Sequence, residues 1–143
     1  MAFRIGIDGV LQYKVGGQDA AGSWLELTNT RDLTLNLEHA EADVTTRGSQ
    51  GWRLTEPTLK DASIEWEMVW DPGDAGFVAI KDAWLAKELL GLAALDSDDG
   101  SGVRGDFKII SFSRSEPLED AMTVSVTAKP AYSANPPQWV DAA

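Results

Sequence analysis

The chain has 143 residues, a hydrophobic fraction of 43% and a net charge of −11, from 23 acidic against 12 basic side chains. That length holds one domain with a real core and not two ordinary ones, and the hydrophobic share excludes a disordered chain. The acidic balance argues against adhesion to nucleic acid or anionic membranes, and zero cysteines remove disulfides, thiolate nucleophiles and Cys-based metal sites.

No run approaches the ~18 apolar residues of a membrane span, and the N-terminus lacks the apolar core of a signal peptide. The expectation is a chain made and folded in the cytosol, without a membrane anchor. With no repeat or linker, residues 1–143 read as a single domain.

The first 37 residues read as short strands, Phe3–Ile7, Leu11–Val15, Trp24–Thr28 and Leu33–Leu37, with Gly16-Gly17 and Gly22-Ser23 as punctuation. Leu33, Leu35 and Leu37 alternate with Thr34 and Asn36, the period of a half-buried strand.

Residues 38–57 are polar and carry Arg47, Trp52 and Arg53. A connection of this length is uncommon in a compact domain unless it binds something. Two readings are open: a projecting hairpin, with Asp43–Thr46 pairing with Trp52–Thr55 around Arg47–Gly51, and a disordered surface loop. Trp and Arg are the residue types enriched at protein interfaces, which makes Arg47, Trp52 and Arg53 candidate contacts.

Leu59–Trp70 is the clearest strand. Ala62, Ile64, Trp66, Met68 and Trp70 share one face, and Ser63, Glu65, Glu67 and Val69 the other. Asp71-Pro72-Gly73-Asp74 then signals a helix start. Ala75–Lys87 follows, with Phe77, Ile80 and Trp84 at helical spacing as its expected buried stripe. Leu89–Leu95 is an apolar run of mixed character. In Val103–Ser113 the apolar phase shifts from Phe107 and Ile109 to Ile110 and Phe112, as a β-bulge would produce. Met122, Val124, Val126 and Ala128 mark a last strand, and the segment from Pro130 reads as an extended C-terminal arm. Many strands, one helix and no βαβ alternation predict a mainly β fold: a β-sandwich or barrel with one flanking helix and a long projecting loop.

Screened for chemistry, the chain offers little. His39 is the single histidine and has no nucleophile motif near it; with no cysteine it is too little for a zinc site. Glu65 and Glu67 stand roughly 6.8 Å apart along their strand, within the range of an inverting glycosidase pair, but any two same-face strand glutamates share that spacing. Gly100–Gly105 matches G-x-G-x-x-G, yet a strand follows where the dinucleotide motif needs a helix. Asp96-Ser-Asp-Asp-Gly resembles a calcium loop at its start but lacks the later ligands. No catalytic residue, metal site or cofactor site follows, and the chain is not expected to be an enzyme. A monomeric β-sandwich binding module, with Trp24 and Trp52 exposed at a groove, is the alternative class.

Asp43-Val-Thr-Thr-Arg-Gly-Ser-Gln-Gly-Trp-Arg53, then Leu59-Lys-Asp-Ala-Ser-Ile-Glu-Trp-Glu-Met-Val-Trp-Asp71, then Phe112–Glu119 and Val124–Pro130, together resemble the tail tube (major tail) proteins of bacteriophages over most of residues 30–133. The resemblance implies subunits in six-membered rings, stacked into a hollow tube through which DNA passes. It implies contacts with further copies and with terminator, tape measure and distal tail proteins, and a place in the virion tail after assembly in the host cytoplasm. The tube protein of type VI secretion systems is the competing identity. Under this resemblance, residues 38–57 become an arm reaching a neighbour through Arg47, Trp52 and Arg53. Glu65 and Glu67 become candidates to line an acidic lumen that repels DNA and lets it slide.

Overall fold

The computed structural model of the protein describes residues 5–98 and 100–141. Its strands are β1 (Val10–Val15), β2 (Leu25–Glu26), β3 (Thr30–Asp43), β4 (Thr55–Val69), β5 (Leu90–Leu95), β6 (Gly102–Ser115), β7 (Thr123–Pro130) and β8 (Gln138–Val140). One helix, α1 (Ala75–Ala86), lies between β4 and β5. Every pairing is antiparallel, in a single sheet of order β2-β1-β5-β6-β7-β4-β3, with β8 added to β6. This is the mainly β architecture with one helix that the strand count predicts.

The core explains the shape. Leu11 and Tyr13 of β1 share one buried cluster with Ile64, Trp66 and Met68 of β4, although these strands lie far apart in the sheet order. The sheet therefore folds over on itself, sandwich fashion, and closes its apolar face inside. The alternation of β4 is realised: Ala62, Ile64, Trp66 and Met68 are buried, and the opposite face is Asp61, Ser63, Glu65 and Glu67. Leu33, Leu35 and Leu37 pair with Trp66, Ile64 and Ala62 on the core side. Because β3 is the edge strand, only Leu35 packs on the core, while Leu33 and Leu37 stay exposed.

Helix α1 begins where expected. The Asp74 carboxylate accepts a hydrogen bond from the Phe77 N–H at 3.0 Å, capping one of the orphan donors of the first turn. Phe77 packs edge-on between Trp70 and Phe112, with ring centroids 4.8 and 5.8 Å away. The buried stripe is Gly76, Phe77, Ile80 and Ala83. Trp84, expected in that stripe, is 45% exposed, and Leu85 is 62% exposed. Small residues at 76 and 83 bring the helix close to the sheet and turn the two large ones outward; a Cβ on Gly76 would stand 2.5 Å from the Leu27 side chain.

Strand β5 is buried on both faces, which accounts for its unpatterned apolar run. One face meets the core; the loop after β1 covers the other. A Cβ on Gly91 would lie 2.9 Å from the Gln18 nitrogen and 3.0 Å from the Trp24 ring, so only glycine lets the loop settle there. The phase shift of β6 is a register irregularity between Ile109 and Ser111 against β7, which leaves Ile110 exposed.

Three short elements depart from expectation. Of Phe3–Ile7, residues 3 and 4 lie outside the described residues, and Gly6–Asp8 form a 3₁₀ turn rather than strand. Trp24–Thr28 shrinks to the two residues of β2, because it borders only β1 and has no second neighbour to extend it. Beyond Pro130 the chain turns back, anchored where Gln18 donates to the Asn135 carbonyl at 3.1 Å, and ends as β8 along Gly102–Arg104 of β6.

Candidate functional site

The region singled out around Arg47, Trp52 and Arg53 is a β-ribbon. Strands β3 and β4 stay paired well beyond the body of the sheet, through Glu38↔Asp61 and His39↔Lys60 to Asp43↔Thr55. There β4 has no neighbour except β3, since β7 pairs with it only from Ile64 onward. Pro57 is tolerated because β4 has a free edge at that point. A register irregularity between His39 and Glu41 bends the ribbon, and the Thr58 hydroxyl donates to the Ala40 carbonyl at 2.9 Å inside it.

The tip is a built turn. The Asp43 carboxylate accepts from the Thr45 N–H at 2.9 Å, and Thr45, through its hydroxyl and then its N–H, holds that carboxyl below the ordinary carboxylate value. The Thr45 hydroxyl also accepts from the Leu54 N–H at 2.8 Å. The Ser49 hydroxyl accepts from the Thr46 N–H at 3.0 Å, closing a 3₁₀ turn over Arg47–Ser49. Gln50 and Gly51 follow with φ of 56° and 88°, so the chain reverses through the left-handed region. Thus Arg47, Trp52 and Arg53 all belong to one ordered turn.

Its surface is unlike that of a solvated hairpin. Trp52 is 74% exposed and Leu59 is 79% exposed, with Val44 and Leu54 also uncovered. From Val44 to Leu54 there are two arginines and no acid, in a chain of net charge −11. Neither arginine takes part in an ion pair among the described residues. An apolar, aromatic and cationic patch of this kind on a rigid projection has the composition of a protein-contact surface.

The second predicted surface, Glu65 and Glu67, lies on the outer face of β4, away from the core. Glu65 is exposed and pairs across to Thr34 and Thr127. Glu67 is partly covered, and its carboxylate lies 3.5 Å from the Arg31 guanidinium. Sequence reasoning missed that pairing, and also two lysines on the same face. Lys108 and Lys129 sit directly opposite each other on β6 and β7, both exposed. The face is therefore mixed: acids along β4 and a lysine pair beside them. Among the described residues no cluster of His, Cys, Asp or Glu could hold a metal ion.

Residues 6–131 match the family model for phage tail tube proteins. The chain belongs to that family. The family is structural, not enzymatic, and its members build the tubes of phage tails. No curated protein matches the chain. Among solved structures, a chain from the virion of a native gene transfer agent particle superposes with a TM-score of 0.75 at 18% identity, covering 96% of this chain and 99% of that one. The SPP1 tail tube gives 0.71 at 20% identity, with 88% and 74% covered. The tail of an empty gene transfer agent particle, refined helically with C6 symmetry, gives 0.66 at 19% identity, with 92% and 96% covered. At these identities the likeness establishes a shared fold.

Proposed function

We propose that this tail tube protein is the repeating subunit of a hollow tube made of stacked six-membered rings, with DNA passing through the lumen. The observation that carries the reading is the β3–β4 ribbon: an ordered projection whose tip, with Arg47, Trp52 and Arg53, is uncovered and whose arginines form no ion pair among the described residues. A ring closes only if each subunit offers two different complementary surfaces, and stacking requires further ones. A ribbon that reaches out of the body supplies one of them.

The outer face of β4 is then the wall of the lumen, with Glu65 as its free negative charge and Glu67 partly neutralised by Arg31. Such a wall holds phosphate poorly and lets DNA slide. Terminator, tape measure and distal tail proteins are the further partners, and the site of action is the virion tail, after assembly in the bacterial host cytoplasm. The symmetry recorded for the gene transfer agent tail supports the six-membered ring.

Negative-stain microscopy of the purified protein at rising concentration tests the reading. Rings and tubes with six-fold end views are the expected result. A species that stays monomeric at every concentration and ionic strength would overturn it.

A further inference from the structure

At the root of the ribbon lies a groove of about 640 Å³, mainly apolar, between the β3–β4 ribbon and the returning C-terminal segment. Leu37, Val103, Pro137 and Trp139 supply its apolar lining, with His39 and Lys60 on the same wall. Leu37 and Trp139 are more than half exposed, so the groove is uncovered in the single chain. Glu38 and Asp61 also border it, but strand alternation directs their side chains to the opposite face, where they line a separate hollow with Asn36, Ser63 and Lys129. The groove face thus presents an apolar floor beside an ammonium group that forms no ion pair among the described residues.

At the far end of β7 stands the β6–β7 turn, Glu116-Pro-Leu-Glu-Asp120. Leu118 is 100% exposed; among the described large apolar residues only it and Tyr132 are wholly uncovered. The turn is held ready. Arg114 lies 3.5 Å from Glu116, and the Asp120 carboxylate accepts the Ala121 N–H at 2.7 Å. Glu119 is left without an ion pair among the described residues. An aliphatic side chain beside a free carboxylate complements an apolar groove beside a free ammonium.

The groove is beyond the reach of its own turn. Pro130 lines the groove and Thr123 adjoins the turn, so the seven residue steps along β7 separate them by about 23 Å at ~3.3 Å per residue. We infer that the Glu116–Asp120 turn of one copy docks in this groove of the next copy, Leu118 entering between Leu37 and Trp139 and Glu119 meeting Lys60. The contact joins opposite ends of the strand axis, so it is head-to-tail and propagates. It rests on the self-assembly reading and assigns that reading a specific pair of surfaces, independent of the ribbon tip.

The chain has no cysteine, so a Leu37→Cys/Leu118→Cys double variant carries only the two thiols that the docking would bring together. Oxidation of its assembled tubes should give a covalent ladder on denaturing gels. Dilute monomer should give none, because separate copies do not dock there, and the two sites of one chain are too far apart to bridge internally. In parallel, Lys60→Glu and Glu119→Lys should each raise the concentration needed for assembly about tenfold, and the two together should restore it. Tubes without a ladder, or a charge swap that fails to rescue, would overturn the docking while leaving self-assembly standing. Wild-type protein that never assembles would overturn both.

Discussion

The carboxylate of Asp106 accepts the backbone N–H of Gln18 at 2.5 Å, across 88 residues of chain. Asp106 is only 5% exposed, on β6 opposite Gly91, and its bond holds the loop after β1 down over the outer face of β5. Substituting Asp106→Ala removes the acceptor and leaves a partly buried N–H unpaired, so it should cost about 1 kcal/mol. Asp106→Asn, which keeps an oxygen there, should cost less. Gly17→Ala should also destabilise, because Gly17 has φ of +111° and a Cβ there would sit 2.8 Å from the same carboxylate. Urea unfolding of monomeric protein measures all three; equal midpoints for wild type and Asp106→Ala would remove the role assigned to this bond.

Burial, and secondarily the Asp74 charge, raises the pKa of Tyr13 above its ordinary value of 10.0. A raised folded value means that the contribution to stability is complete below the unfolded value and is lost as pH rises through the folded one. Stability should therefore decline on the alkaline side, above about pH 10. The chain has two tyrosines, so a Tyr132→Phe background isolates Tyr13. Its phenolate absorbance should develop later than in unfolded chain, and somewhat earlier when Asp74→Ala is added. Asp74→Ala should separately cost about 1 kcal/mol through the lost helix cap.

What the sequence discloses and what it hides divide along physical lines. The core face of β4, the Asp74 cap and the β6 bulge were readable, because each leaves a local trace: a two-residue period, a capping side chain, a phase shift. Trp84 was misplaced because apolarity at helical spacing does not say which side of a helix carries the small residues that allow close packing. Beyond the Asp43–Thr46 and Trp52–Thr55 hairpin, the continued pairing of Glu38–Ala42 with Glu56–Asp61 left no trace, since both faces of the ribbon are exposed and no apolar alternation is needed. Strand β8 depends on a partner some 35 residues earlier, Gly102–Arg104, and local pattern cannot supply that. At the site, the cationic and aromatic residues of the tip were visible from their types, whereas the pairing of Glu67 with Arg31 and the lysines at 108 and 129 needed the register.

The ribbon tip makes a sharp separation of stability from assembly possible. Arg47 and Trp52 are exposed and contribute nothing to the core, so Arg47→Glu and Trp52→Ala should change folding stability by less than about 0.5 kcal/mol. Each should nevertheless block polymer formation, because a truncated aromatic anchor or a reversed charge at an interface costs a large share of the contact energy. Circular dichroism reads the fold and microscopy the polymer. If both variants formed normal tubes, the tip would be a solvated turn and the contact surfaces would have to be sought elsewhere.

The wall assignment predicts an unequal response from two neighbouring acids. Glu65 has no ion-pair partner among the described residues, while Glu67 faces Arg31. Replacing Glu65 by Lys converts a free negative charge to a positive one in every subunit, beside the existing Lys108 and Lys129 pair. Tubes carrying Glu65→Lys should retain double-stranded DNA at low salt far better than wild-type tubes, and release it steeply as salt rises, since phosphate contacts exchange for counterions. Arg31→Ala should act in the opposite direction, uncovering Glu67 and weakening residual retention further. Both effects require the β4 outer face to line the lumen. If that face instead forms the outside of the tube, Glu65→Lys will make DNA bind to the outer surface, where added nuclease digests it; DNA held inside will be protected.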